Sequence, residues 1–267
     1  MPASPQPASS SAERPPWWRL ALVGVLGGTL SGAFGIGGGI LMVPLLLALT
    51  SMDQRRASAT SLVAIVPAAV VGSIGFIGQG RVDWLAAALL SVGGIIGSWA
   101  GSRVLRALPL GWLRWLFISV LLLVALRMFF VGVDRGDAGM THSAGSTFGL
   151  IVLGLVIGVA SGLFGIGGGV VAVPALTLLF GMSDLTAKGT SLLMMLPTSM
   201  SGSVSHVRGR LVRVRDGLIV GAAAAAASFG GVTLAFTMTA EVSTTLFAVL
   251  LLLAAAQLAI RAIRHRG

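Results

Sequence analysis

The chain has 267 residues, of which 55% are hydrophobic and only 10% charged, and its mean hydropathy is +0.97. A soluble domain carries about 25% charged residues, so a water-facing globular surface is excluded and lipid must be the outer solvent. Eighteen basic against eight acidic residues give a net charge of +10, yet the arginines lie between or at the ends of apolar segments, not in a stripe with stacking aromatics, which speaks against a nucleic-acid partner. Cysteine is absent, and with it any disulfide, thiol chemistry or cysteine metal site.

Residues 1–19 read as a disordered tail, rich in Pro, Ser and Ala up to Pro16. The apolar run that starts at Leu20 continues far past a signal-peptide core without a clear cleavage site, so it is expected to be retained. A first membrane unit then occupies residues 20–133, a polar connector 134–147, a second unit 148–261 and a basic tail 262–267. A membrane helix needs about 20 apolar residues to cross a core of roughly 30 Å. Ser61–Ile77, Trp84–Ala100, Trp112–Val131, Thr190–Val204, Gly217–Thr237 and Val242–Ile260 match that length or fall slightly short. Leu20–Leu49 and Phe148–Phe180 are too long, reaching roughly 45–50 Å as straight helices. Each carries three consecutive glycines in its middle, with Pro44 or Pro174 five residues on. Glycine costs about 1 kcal/mol relative to alanine in a helix, so both segments are expected to break there.

The two units are copies. Ser31–Gly39 (SGAFGIGGG) returns as Ser161–Gly169 (SGLFGIGGG), 130 positions later, with eight of nine residues identical. Gly24–Pro44 and Gly154–Pro174 agree at 12 of 21 positions, and the same offset aligns Thr60-Ser61 with Thr190-Ser191, Pro67 with Pro197 and Gly72-Ser73 with Gly202-Ser203. The fold class is therefore all-α and polytopic, with two homologous repeats of four hydrophobic segments. If each long segment crosses once, there are eight crossings, the repeats run parallel, and the basic residues split 12 inside to 6 outside. If each folds back as a re-entrant hairpin, there are six crossings, the repeats are inverted, and the split becomes 14 to 4. Positive residues favour the cytoplasm, so the count favours the inverted arrangement. Both arrangements put both termini in the cytoplasm. Tryptophans 17, 18, 84, 112 and 115 open segments, where indoles prefer the lipid boundary, and Trp99 alone sits at a segment end.

Irregular backbone inside a membrane is tolerated only within protein or beside a water-filled cavity. Glycines let several N–H groups converge without side-chain obstruction, and a helix starting just after them adds the positive end of its dipole. Glycine-interrupted segments in corresponding positions of two halves point to a transporter's binding site. Gly35, Gly37, Gly38 and Gly39 with Gly165, Gly167, Gly168 and Gly169 are accordingly the first candidates for binding an anion. The alternative is close helix packing, the role expected of Gly94, Gly97 and Gly101 and their counterparts Ala224, Ala227 and Gly231. A dinucleotide fingerprint is excluded, because Ile40 stands where the third glycine belongs and no strand precedes the motif.

Thr60, Ser61, Thr190 and Ser191 open the segments after the glycine units. Their hydroxyls can donate to an oxyanion or cap a helix start. Thr190–His206 is unusually polar for a span and is expected to face the protein interior. Ser73 and Ser203, which align, are secondary candidates. Lys188 reads more readily as a loop charge than as an anion attractant. His206 reads as an interfacial residue, with a proton relay as the alternative. His142 lies in the connector and His265 in the tail, so no zinc spacing arises and no cofactor is expected. No carboxylate falls mid-segment.

The duplicated SG(A/L)FGIGGG followed by Val-Pro, then the Thr-Ser segments with Pro67 and Pro197, resembles the TauE/SafE sulfite exporter family of bacterial membrane permeases. The likeness spans about Leu20 to Ile260. It departs where Arg208-Gly209-Arg210 stands opposite Gly78-Gln79-Gly80. The resemblance implies an inner-membrane permease for sulfur-containing anions such as sulfite, thiosulfate or organosulfonates, with substrate bound at the glycine motif. A membrane enzyme would need a nucleophile–base pair, a metal cluster or a Gly-x-Ser-x-Gly elbow, and none is present. A non-transporting assembly or sensor component remains the alternative, and oligomeric state is not legible. On this reading Gly38→Leu and Gly168→Leu abolish transport while leaving membrane insertion intact.

Overall fold

The computed structural model describes residues 15–130 and 144–264, and every regular element among them is an α-helix. The first half contains α1 (Trp17–Phe34), α2 (Gly39–Leu49), α3 (Gln54–Gly78), α4 (Trp84–Ala107) and α5 (Leu110–Phe130). The second repeats the order as α6 (Ala144–Phe164), α7 (Gly169–Phe180), α8 (Asp184–Arg208), α9 (Val214–Thr237) and α10 (Ala240–Arg264). Among the described residues, α3, α4, α6, α9 and α10 are long and apolar enough to cross a membrane. The polar residues of α8 make it an exception by composition. Helix α1 begins inside the expected tail, α6 inside the expected connector, and α10 runs past residue 261. The rest of the tails and connector, with His142 and His265, lies outside the described residues.

The long segments break at glycine, not at proline. Gly35, Gly37 and Gly38 have φ of 68°, 73° and 70°, and Gly165, Gly167 and Gly168 have 70°, 75° and 89°. This left-handed region carries a steric cost for any residue with a Cβ. The chain reverses there. Arg19 Nη1 donates to the Leu49 carbonyl at 3.0 Å, so the start of α1 lies beside the end of α2. In the second half a Cβ built on Gly149 would lie 3.4 Å from Phe180, again joining start to end. Each long segment is thus a helical hairpin, and Pro44 and Pro174 sit inside its returning helix.

Helices α3 and α8 begin about two turns before the apolar runs suggest. Asp53 and Ser183, 130 positions apart, are their N-caps and accept from the amides of Arg56 and Thr186 at 2.8 and 3.4 Å. Charged residues in those first turns shorten the apolar runs but not the helices. Thr60, Ser61, Thr190 and Ser191 are therefore interior helix residues, and of the two roles open to them, capping belongs instead to Asp53 and Ser183.

Glycine contacts give the relative directions. Gly24, Gly28 and Gly32 of α1 rest on Val220, Ala224 and Ser228 of α9, so these helices run parallel. Their counterparts Gly154, Gly158 and Gly162 of α6 rest on Leu90, Gly94 and Ser98 of α4 in the same sense. Helices α3 and α8 run antiparallel, because Gly202 meets Leu62 and Gly72 meets Leu192. Equivalent elements of the two halves thus point in opposite directions. The i, i+4, i+8 glycines allow backbones to touch, as small residues do between membrane helices. Phe34 stacks on Phe247 at 5.5 Å and Phe164 on Phe117 at 4.9 Å, so the end of each outgoing hairpin helix is anchored on the last helix of the other half.

A side chain at Gly28 or Gly158 would enter backbone, since a Cβ would lie 2.5 Å from Ala224 Cα in one case and 2.9 Å from Gly94 Cα in the other. Overpacking of this kind costs about 1–3 kcal/mol. Gly28→Leu and Gly158→Leu should lower the melting temperature in detergent by several degrees. Gly230→Ala, with nothing within 4 Å of the added atom, should leave it unchanged or raise it. Scanning fluorimetry of the three variants against the parent checks both directions.

Candidate functional site

The tips of the two hairpins meet. A Cβ on Gly39 would lie 2.5 Å from Ile166 Cα and 2.6 Å from the Gly165 carbonyl oxygen. A Cβ on Gly169 would lie 2.6 Å from both Ile36 Cα and the Gly35 oxygen. Residues 31–40 and 161–170 are all buried. Among the described residues, the amides of Ile36, Gly37 and Gly38, and of Ile166, Gly167 and Gly168, donate to no backbone carbonyl. The N-terminal ends of α2 and α7, each carrying the positive end of a helix dipole, converge on the same place.

The eight candidate glycines divide by what they touch. Gly35 rests on the Lys188 backbone and Gly165 on that of Ser58; Gly39 and Gly169 rest on each other's loops. Gly38 lies against the Gly27 backbone, and Gly168 against Ile157. Only Gly37 and Gly167 face side chains alone at close range. A Cβ on Gly37 would meet Met195 Sδ at 2.8 Å and Ile65 Cγ2 at 3.1 Å; one on Gly167 would meet the same two residues at 3.2 and 3.1 Å. Ile65 and Met195 stand midway along α3 and α8, related by the same 130-residue offset. Sequence reasoning missed both, because their side chains differ in type and only the offset connects them. Gly38→Leu is accordingly a packing variant, and insertion of an intact fold is not expected of it.

The hydroxyl candidates take different roles. Ser191 Oγ donates to the Gly35 carbonyl at 3.0 Å, tying α8 to the first hairpin tip. Ser61 Oγ donates to Met42 Sδ at 3.8 Å and Thr60 Oγ1 to Met52 Sδ at 3.8 Å. Thr190 Oγ1 accepts the Asp83 amide at 2.9 Å, holding the α3–α4 turn. Ser73 Oγ donates to Val70 O of its own helix at 3.0 Å, whereas Ser203 Oγ is buried without a partner. As its polarity suggests, the inner face of α8 buries Thr190, Ser191, Thr198, Ser199, Ser203, Ser205 and His206.

Two expectations are corrected. Lys188 is not a loop charge: it is 1% exposed inside α8, and its Nζ donates to Asp184 Oδ2 and to Ser243 Oγ, both at 2.7 Å. His206 is not interfacial: it is fully buried, because α8 turns that face toward α4 and α6, where Arg106 and Gly162 lie nearby. The Gly162 backbone lies close to its imidazole, but neither ring nitrogen meets hydrogen-bond geometry.

A set of buried, unpartnered polar atoms surrounds the hairpin tips. Ser31 and Ser161, one turn before Gly35 and Gly165, are equivalent and both orphaned; so are Ser98 and Ser228 on α4 and α9. A buried hydroxyl without a partner is costly, and its recurrence in both halves marks positions that need polarity. Sequence reasoning passed over Ser31 and Ser161, although they are the polar residues of the repeated nonapeptide. Where the second half has the Asp184–Lys188 pair, the first has Gln54 and Ser58, also buried and unpartnered. A cavity of about 110 Å³ opens beside Thr60, lined by Arg56, Arg210, Arg213, Asp216 and Met52. Among the described residues no group of carboxylates and histidines could hold a metal.

The model of the sulfite exporter TauE/SafE family matches residues 2–128 and 150–267. The chain belongs to that family. It is a membrane transporter, not an enzyme. It is 30% identical over 211 residues to YunE of Bacillus subtilis, named a probable membrane transporter protein, covering 70% of this chain and 77% of that one. A transporter of the same description from Xylella fastidiosa (strain 9a5c) is 32% identical over 196 residues, covering 71% and 73%. One from Haemophilus influenzae is 29% identical over 193 residues, covering 70% and 72%. No solved structure matches the chain.

Removing one member of a buried ion pair strands the other, at a cost of about 3–5 kcal/mol, whereas an apolar replacement of both is often neutral. Asp184→Ala should therefore destabilise the transporter strongly, and Asp184→Leu with Lys188→Met should recover most of the loss. Melting temperatures of the single and double variants test whether Lys188 serves the fold.

Proposed function

We propose that this transporter moves small anions, namely sulfur-containing oxyanions or organosulfonates, through a site where the two hairpin tips meet. The observation that carries this reading is the contact between two glycine breaks whose amides have no backbone acceptors. Two positive helix ends facing each other across buried backbone favour an anion between them. Neutral hydroxyls and amides bind by hydrogen bonds without a fixed countercharge, which suits a ligand that must also leave. The TauE/SafE family name supplies the sulfur chemistry.

In this reading α3, α4, α5, α8, α9 and α10 cross the bilayer, and the α1–α2 and α6–α7 hairpins enter from opposite faces without crossing. Arg19, Arg55, Arg56, Arg106, Arg208, Arg210 and Arg213 then share the end where α1 starts and α10 finishes, which the excess of positive charge assigns to the cytoplasm. The small cavity beside Thr60 is its basic vestibule, concentrating anions by charge. With every residue of both tips buried, the arrangement corresponds to a closed state, and passage requires the repeats to rock against each other.

Purified protein in liposomes, assayed for sulfite, thiosulfate and taurine against chloride and acetate, should give saturable flux of a sulfur anion. Ile65→Phe and Met195→Phe, which enlarge the side chains over Gly37 and Gly167, should cut that flux at least tenfold, and Ile65→Val and Met195→Leu should retain it. Full flux in folded Phe variants would remove the glycine cluster from the pathway.

A further inference from the structure

A groove of about 570 Å³ runs along the outer face of the molecule between α4 and α8, separate from the hairpin tips. Its two ends differ in chemistry. Along one stretch Ile95, Trp99, Met200 and Val204 are 42–54% exposed, an apolar surface facing outward. At the other end stand Arg103, Arg106 and Arg208, all exposed. Arg103 lies over the Trp99 ring, 3.4 Å from its centroid, and Arg106 Nη2 donates to Ser205 Oγ at 3.3 Å. Among the described residues none of the three is paired with a carboxylate. Helices α4 and α8 run parallel, so the three guanidinium groups collect at the end that carries the other arginine-rich loops.

The equivalent positions of the other half show that the fold does not require these charges. At the positions 130 residues away, Trp99 becomes Phe229, Arg103 becomes Thr233, Arg106 becomes Phe236 and Arg208 becomes Gly78. The apolar part is kept and every cation is lost. A groove whose apolar stretch has an apolar counterpart in the other half, but whose cations have none, fits a ligand that is apolar along its length and anionic at one end.

We propose that the α4–α8 groove binds one anionic phospholipid of the leaflet at the arginine-rich end. Its phosphate sits among Arg103, Arg106 and Arg208, and an acyl chain lies against Ile95, Trp99, Met200 and Val204. Guanidinium groups match phosphate oxygens bidentately, and basic pockets between membrane helices on the cytoplasmic side are suited to lipid head groups. From Arg103 to Ile95 the groove offers about 12 Å of helix, lined mainly by apolar side chains, with the Ser201 hydroxyl tied to the Ile95 carbonyl at 3.0 Å; a small free anion would leave this stretch uncovered. A second copy of the chain is a poorer occupant: the described carboxylates at that end are Asp53, which caps α3, and Asp216, which lines the cavity beside Thr60.

Native mass spectrometry of the detergent-purified transporter, titrated with phosphatidylglycerol and phosphatidylcholine of the same acyl chains, tests the site. The parent should retain one phosphatidylglycerol with at least tenfold preference. Arg103→Gln with Arg106→Gln and Arg208→Gln should abolish the preference. Arg55→Gln with Arg210→Gln and Arg213→Gln, equal in charge change but outside the groove, should keep it. Trp99→Ala should weaken retention of phosphatidylglycerol without altering charge, which keeps the test open if the triple variant folds poorly. Equal retention of both lipids, a preference that survives the groove variant, or full displacement by inorganic phosphate would each overturn the proposal. So would a dimer whose formation requires the same arginines.

Discussion

Backbone polar groups cannot be left facing hydrocarbon, and the architecture of this transporter follows from that constraint. Two helices are interrupted deep inside an apolar chain, leaving several amides without ladder partners. Neither interruption is covered by its own half alone. Each is buried by the tip of the other hairpin, by the middle of α3 or α8, and by a phenylalanine stack onto the last helix of the opposite repeat. The halves are therefore interdependent at the point where each is weakest. The glycines follow from this arrangement: they reverse the chain, and they let two backbones approach closely enough to cover one another.

Duplication supplies the scaffold, and divergence supplies the chemistry. The parallel pairs α1 with α9 and α4 with α6 rest on glycine triplets that occupy identical positions in both repeats. The buried serines near the tips are likewise shared. The differences concentrate at the ends of α3 and α8. One copy carries a satisfied ion pair with Ser243, and the other carries Gln54 and Ser58. The outer faces differ in the same manner: the α4–α8 groove ends in three arginines, and the equivalent positions of the other half are Thr233, Phe236 and Gly78. A common fold therefore holds two unlike faces.

Much of this was legible in the sequence because repeated residues report on themselves. The breaks at Gly35–Gly39 and Gly165–Gly169, the inward polarity of α8 and the packing role of Gly97, Gly101 and Gly231 follow from offset, composition and spacing. Orientation about a helix axis was not legible. The burial of His206 depends on which face α8 turns to α4 and α6, and neighbouring arginines in sequence carry no information on that. The true starts of α3 and α8 were hidden by charged first turns, although Asp53 and Ser183 are ordinary caps in matching positions. Lys188 was half legible, since Asp184 stands four residues before it on the same face. Its other partner, Ser243, is 55 residues away and could be found only in three dimensions.

The uneven treatment of the two hairpin tips has an energetic meaning. The first tip is fastened: Ser191 bonds the Gly35 carbonyl, and Gly35 rests on the backbone of a lysine locked in an ion pair. The second tip rests on Ser58, whose hydroxyl bonds nothing. A carrier made of two identical inverted halves would find its two facings equal in free energy, and an empty protein would divide its time evenly between the two sides of the membrane. Fastening one tip and not the other removes that degeneracy. For a carrier that rocks, the resting orientation is then set by the protein itself, before any gradient acts on it.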